Sequence, residues 1–177
     1  MKLKELISWV EEQGCPVQIK NKSGHGYQGL FYWNKPHRIV LFSKGNPKKV
    51  LFRTLIHEYC HYVQWQEKYL QKIEKLFNWQ DYYFFLEDKK KLSRSKQLRA
   101  LLGVLMLEHD CETRTINLIK EKGWPVNIQK YIRGANAYFY QIISGMKKKK
   151  GGPSLVAPYS LSRLLTMDEL IAAVMRL

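Results

Sequence analysis

Acidic residues are scarce in this chain. Fifteen Asp and Glu stand against 30 Lys and Arg, which leaves a formal charge of +15 at pH 7. Such a balance draws a protein toward nucleic acid or other anionic surfaces, or supplies solubilising lysines and nothing more. Cysteine is also sparse: Cys15, Cys60 and Cys111 are far apart and form no C-x-x-C pair. That excludes a disulfide framework and a Cys-rich zinc site, and fits reduced thiols in a cytoplasmic protein. No apolar run approaches the roughly 20 residues of a membrane span. The N-terminus carries Leu3, Leu6, Ile7 and Val10 at helical spacing and an acidic Glu11-Glu12 pair, the pattern of an amphipathic helix and not of a signal peptide.

What is present suits a folded domain. Hydrophobic residues make up 45% of the 177 and charged residues 25%, enough apolar surface to build a core. Gly14 and Pro16 stop the first helix. Short β-type stretches follow at Val17–Lys20, about 27–33 and Arg38–Phe42, separated by turn residues and read as a small antiparallel sheet. Asn46 then caps a long helix over about 48–77, with Pro47 at its first position. Further helices are expected over about 95–122 and 126–144. Thr166 with Glu169 three residues on marks a short C-terminal helix. Strands and helices are segregated, so the fold class is α+β. The expected division is a domain over 1–146, then a basic linker and C-terminal helical tail over 147–177, opened by the lysines at 147–150.

One string inside the long helix carries chemistry: His57-Glu58-Tyr59-Cys60-His61. Residues four apart lie on the same helical face, about 6 Å along the axis, so two imidazoles there can share one Zn²⁺. Glu58, one residue past the first histidine, projects beside that metal and is placed to take a proton from an activated water. Leu51, Phe52, Leu55, Ile56 and Tyr62 make the helix apolar enough to be packed inside a domain, where buried polar groups require a purpose. A catalytic zinc needs a third protein ligand. Glu108 and Glu112, on one face of the 95–122 helix, are its best source: one binds the metal and the other supports a ligand from behind. His109 is turned to another face. The competing reading of this acidic segment is an exposed turn with pairs such as Asp110–Arg114.

Thr54-Leu55-Ile56-His57-Glu58-Tyr59-Cys60-His61, followed by a helical glutamate motif, resembles the gluzincin metallopeptidases. The helix–strands–motif-helix order over about 1–120 looks most like the small ImmA/IrrE-like proteins of bacteria and phages. The resemblance implies a zincin-like minimal metallopeptidase. Glu108 would be the third ligand, with Glu112 as support or alternative ligand, and Glu58 the general base for a zinc-activated water. It also implies a narrow protein or peptide target and a bacterial or host cytoplasm as the place of action. An edge strand before the active helix, Arg38–Phe42, would hold the substrate extended. Tyr131, Tyr138 and His25 are candidate donors to the developing oxyanion. Glu112 departs from the usual Asp or Asn, and the interval from His61 to Glu108 is long for compact members.

A different class of function stays open: a basic nucleic-acid-binding or interaction module with a structural or vestigial metal. Its contact patch would be Lys89, Lys90, Lys91, Arg94, Lys96, Arg99 and the lysines at 147–150. Glu58 separates the two readings, because a structural zinc has no use for an unligated carboxylate beside it.

Overall fold

The computed structural model describes residues 1–24, 27–149 and 161–176, with side chains to 146 in the long stretch. Among them the chain forms seven helices and one three-stranded sheet, an α+β fold. It divides into two compact units: Met1–Lys68 with Asn117–Val126, and Tyr69–Ile116 with Asn127–Leu177.

In the first unit α1 (Leu3–Glu12) buries Leu6 and Val10. Three strands follow, β1 (Val17–Lys20), β2 (Gly29–Tyr32) and β3 (Arg38–Phe42), in spatial order β1-β3-β2. β2 runs antiparallel to β3, with Phe31 opposite Ile39 and Tyr32 opposite Arg38. β1 runs parallel to β3. The sheet is therefore mixed, and the expectation of an antiparallel one is corrected. Residues 21–37 separate β1 from β3, long enough for the crossover that parallel pairing requires. β3 is also the central strand and not an edge, which corrects the expected substrate-holding role of Arg38–Phe42. Ile39, Val40, Leu41 and Phe42 are all buried, on both faces, as a central strand demands.

Against this sheet lies α2 (Lys48–Gln66), which buries Leu51, Phe52, Leu55, Ile56, Cys60 and Tyr62. Pro47 takes the N-cap position expected for Asn46, whose side chain instead donates to the Phe42 carbonyl at 2.8 Å. α2 stops eleven residues short of the expected end. Lys68 adopts φ +59°, a left-handed conformation that closes a helix, and its N–H donates to the Trp65 carbonyl. Trp124 completes the unit, its ring edge-on to Trp9 and Phe52.

The second unit holds α3 (Tyr69–Phe77), α4 (Gln80–Leu86), most of α5 (Arg94–Lys122), α6 (Ile128–Lys149) and α7 (Met167–Val174). Asn78 and Asp88, both at positive φ, follow α3 and α4. Leu101, Leu105, Phe139, Ile143 and Met146 form its core together with Leu165, Leu170 and Val174. The residues around α7 thus pack into this unit's core, and α6 runs past residue 147, where the linker was expected. No helix among the described residues is long and apolar enough to cross a membrane.

Thr166 caps α7 as its sequence suggests, accepting from the Glu169 N–H while Glu169 accepts from the Thr166 N–H. Glu169 also binds Arg163 through both carboxylate oxygens, at 2.8 Å each. The Arg163 guanidinium and the Thr166 amide hold the Glu169 carboxyl down at about 2. A carboxyl depressed on folding stabilises the fold above its unfolded value and loses that contribution as pH falls toward 2. The protection of the α7 amides, relative to their intrinsic exchange rate at each pH, should accordingly fall between about pH 4.5 and pH 2. Glu169→Gln should abolish that acid dependence; an unchanged profile in the variant would remove this ion pair as its cause.

Candidate metal centre

The helical spacing of His57 and His61 does what it promises. Their Nε2 atoms lie 3.2 Å apart on the same face of α2, the rings nearly perpendicular. Two lone pairs so close repel unless a proton or a cation stands between them. Two nitrogens bound tetrahedrally to one zinc at about 2.05 Å would be about 3.3 Å apart. The pair therefore fits a shared metal ion with almost no adjustment.

His61 is fixed from behind. Its Nδ1 lies 2.8 Å from Oε1 of Gln64, a fully buried residue one turn further along α2. An amide oxygen accepts, so Nδ1 carries the proton and Nε2 presents its lone pair to the metal position. Sequence reasoning missed Gln64, although its i+3 spacing from His61 was visible.

Glu58 is buried and its Oε2 accepts the Phe31 backbone N–H of β2 at 2.8 Å. Close approach of β2 to α2 makes this possible, and Gly29 makes the approach possible. A Cβ there would stand 2.6 Å from Thr54 Cγ2 and 3.3 Å from Glu58 Cγ. This neighbour too escaped the sequence reading, because no local signal links residue 29 to residue 58. The arrangement gives two imidazoles converging on one point and a carboxylate on the same helix held by a separate partner.

In the second unit, α5 presents Glu108, Cys111 and Glu112, all buried. Burial raises the Tyr131 phenol well above its usual range, and the Glu112 charge and hydrogen bond add to it. Tyr131 therefore stays neutral and donates to Glu112. Tyr131 is thus occupied in orienting Glu112, and Tyr138 packs against the core of this unit. His25 lies outside the described residues. His109 places its Nε2 2.8 Å from the Leu165 carbonyl. The Asp110–Arg114 pair is formed too, at 2.6 Å, alongside the buried glutamates and not in place of them. Among the described residues, His57 and His61 of α2 and Cys111 of α5 are donors suited to a metal ion; Glu58, Glu108 and Glu112 are not among them.

Compared with family models, curated proteins and solved structures, the chain matches none. The resemblance noted above therefore rests on the motif residues of α2 and α5 and on the order of elements over about 1–120.

Gln64→Leu should keep α2 intact and weaken zinc binding about 10- to 100-fold, the usual cost of losing a partner behind a ligating histidine. Competition with a chromophoric chelator measures this; wild-type affinity in the variant would show that Gln64 only fills space.

Proposed function

We propose that this protein is a zinc-dependent metallopeptidase of zincin-like architecture, hydrolysing peptide bonds in a narrow protein target. The observation that carries the proposal is the 3.2 Å convergence of the His57 and His61 Nε2 atoms on a buried helix, with Glu58 one residue from the first of them. Two imidazoles and a nearby unligated carboxylate are the donor set of a metal-assisted hydrolase, whereas a purely structural zinc site is closed by four ligands.

A zinc ion held by His57 and His61 would supply Lewis acidity, polarising the scissile carbonyl and acidifying a water molecule. The chain's own residues do the rest. Glu58 takes the proton of the attacking water and returns it to the leaving amine. The Phe31 amide orients its carboxylate. β2 is an edge strand beside α2, so an extended segment of the substrate adds to β2. The resemblance assigns the third ligand to the glutamate motif. Glu108 is the first choice on the resemblance, and Glu112, braced by Tyr131, serves as its support or its alternative. Cys111 offers a sulfur donor on the same stretch of helix.

Purified wild-type protein should carry about one zinc per chain. His57→Ala and His61→Ala should lose it. Among Glu108→Ala, Glu112→Ala and Cys111→Ser, the variant that loses zinc names the third ligand. Glu58→Gln should keep its zinc and lose at least about a hundredfold in hydrolysis. Because the target is unidentified, the readout is the set of new protein N-termini that appear in expressing cells with wild type and disappear with Glu58→Gln. Identical sets of termini would refute the peptidase reading while leaving the metal site standing, and would favour a structural metal in a basic interaction module.

A further inference from the structure

The scarcity of acidic residues is not uniform along the chain. Residues 13–57 contain eight Lys and Arg and no Asp or Glu at all, where an even spread of the chain's 15 would place about four. This tract builds the whole sheet and the first half of α2. The basic cluster anticipated at residues 89–99 is different in kind. Lys89 pairs with Glu87, Lys90 with Asp81, and Arg99 donates to the Leu76 carbonyl.

Within the acid-free tract, the connection between β2 and β3 displays flat aromatic surface. Tyr32 is 37% exposed and Trp33 38%. Arg38, the cross-strand partner of Tyr32, lays its guanidinium 4.9 Å above the Tyr32 ring and donates to the Pro36 carbonyl at 3.0 Å. Lys35 lies in the same turn and is exposed. The turn is braced by His37, whose ring lies against Trp65 at 4.7 Å and Tyr62 at 5.6 Å. Exposed rings and cations thus stand together on a supported β-hairpin.

We propose that this hairpin, with Tyr32, Trp33, Lys35 and Arg38, is a binding site for single-stranded nucleic acid. Cations alone would accept any polyanion. Exposed rings select for a partner with unpaired π-faces, and only single strands offer bases to stack, since a duplex hides them. The tract's lack of carboxylates removes the repulsion a phosphate backbone would otherwise meet. This site stands apart from the metallopeptidase reading and requires neither zinc nor Glu58.

The test is fluorescence anisotropy of the full chain with a labelled oligothymidine of about 20 nucleotides, against a duplex of the same length, between about 50 and 200 mM salt. The single strand should bind at least about tenfold tighter than the duplex. Trp33→Ala and Tyr32→Ala should each cost about tenfold without altering the salt dependence, and Tyr32→Phe should restore binding. Lys35→Gln should lower the salt slope by about one. Removing metal with a chelator should change nothing. The surface location of these side chains leaves the core untouched, which circular dichroism verifies for each variant. Equal affinity for duplex and single strand, or aromatic variants that bind like wild type, would overturn the proposal. Displacement of the oligonucleotide by polyglutamate at equal charge would overturn it too, in favour of an acidic protein segment.

Discussion

The proposed metal chemistry depends on one electrostatic constraint: two imidazole nitrogens are held 3.2 Å apart on a packed helix. Left to themselves, two neutral histidines at i and i+4 would choose rotamers that keep their lone pairs apart. Here Gln64 fixes the protonated edge of His61 and so aims its other nitrogen. Packing of Leu55, Ile56, Cys60 and Tyr62 into the first unit prevents the helix from rotating away. The result is a donor pair already shaped for an ion, so that binding one would spend less energy on ordering it.

The second constraint is steric. Glu58 reaches the Phe31 amide only because β2 lies so close to α2 that residue 29 has no room for a side chain. An edge strand and the helix that carries the two histidines are thereby brought into one unit with the carboxylate between them. β3 contributes differently. Buried on both faces, it anchors the sheet and leaves the edges to β1 and β2. The same small sheet carries exposed rings at its β2–β3 turn, so two surfaces of different chemistry share one scaffold.

Much of this was legible in the amino-acid pattern, and the failures have physical causes. The motif helix, α5 and the capped α7 follow from apolar periodicity and from the Thr166/Glu169 capping box, which are local signals. The expected helix over 48–77 failed at Lys68, because lysine gives no hint of the left-handed conformation it adopts. Asn78 and Asp88 do the same with residue types that tolerate it, so α3 and α4 could have been separated. The mixed sheet was hidden because strand order is set by burial across the chain. The run Ile39 to Phe42, apolar at every position, was the clue that it sits in the centre. Gln64 was visible by spacing alone, whereas Gly29 and the Phe31 amide are long-range partners that no window of sequence reveals.

Whether the two imidazoles bind one metal together decides the proposed function. X-ray absorption at the zinc edge of the zinc-supplied protein measures that directly. The account predicts a four-coordinate ion with two imidazole scatterers at about 2.0–2.1 Å, with sulfur at about 2.3 Å only if Cys111 is the third ligand. A protein that takes up no zinc, or a zinc environment with no imidazole scattering, would contradict it.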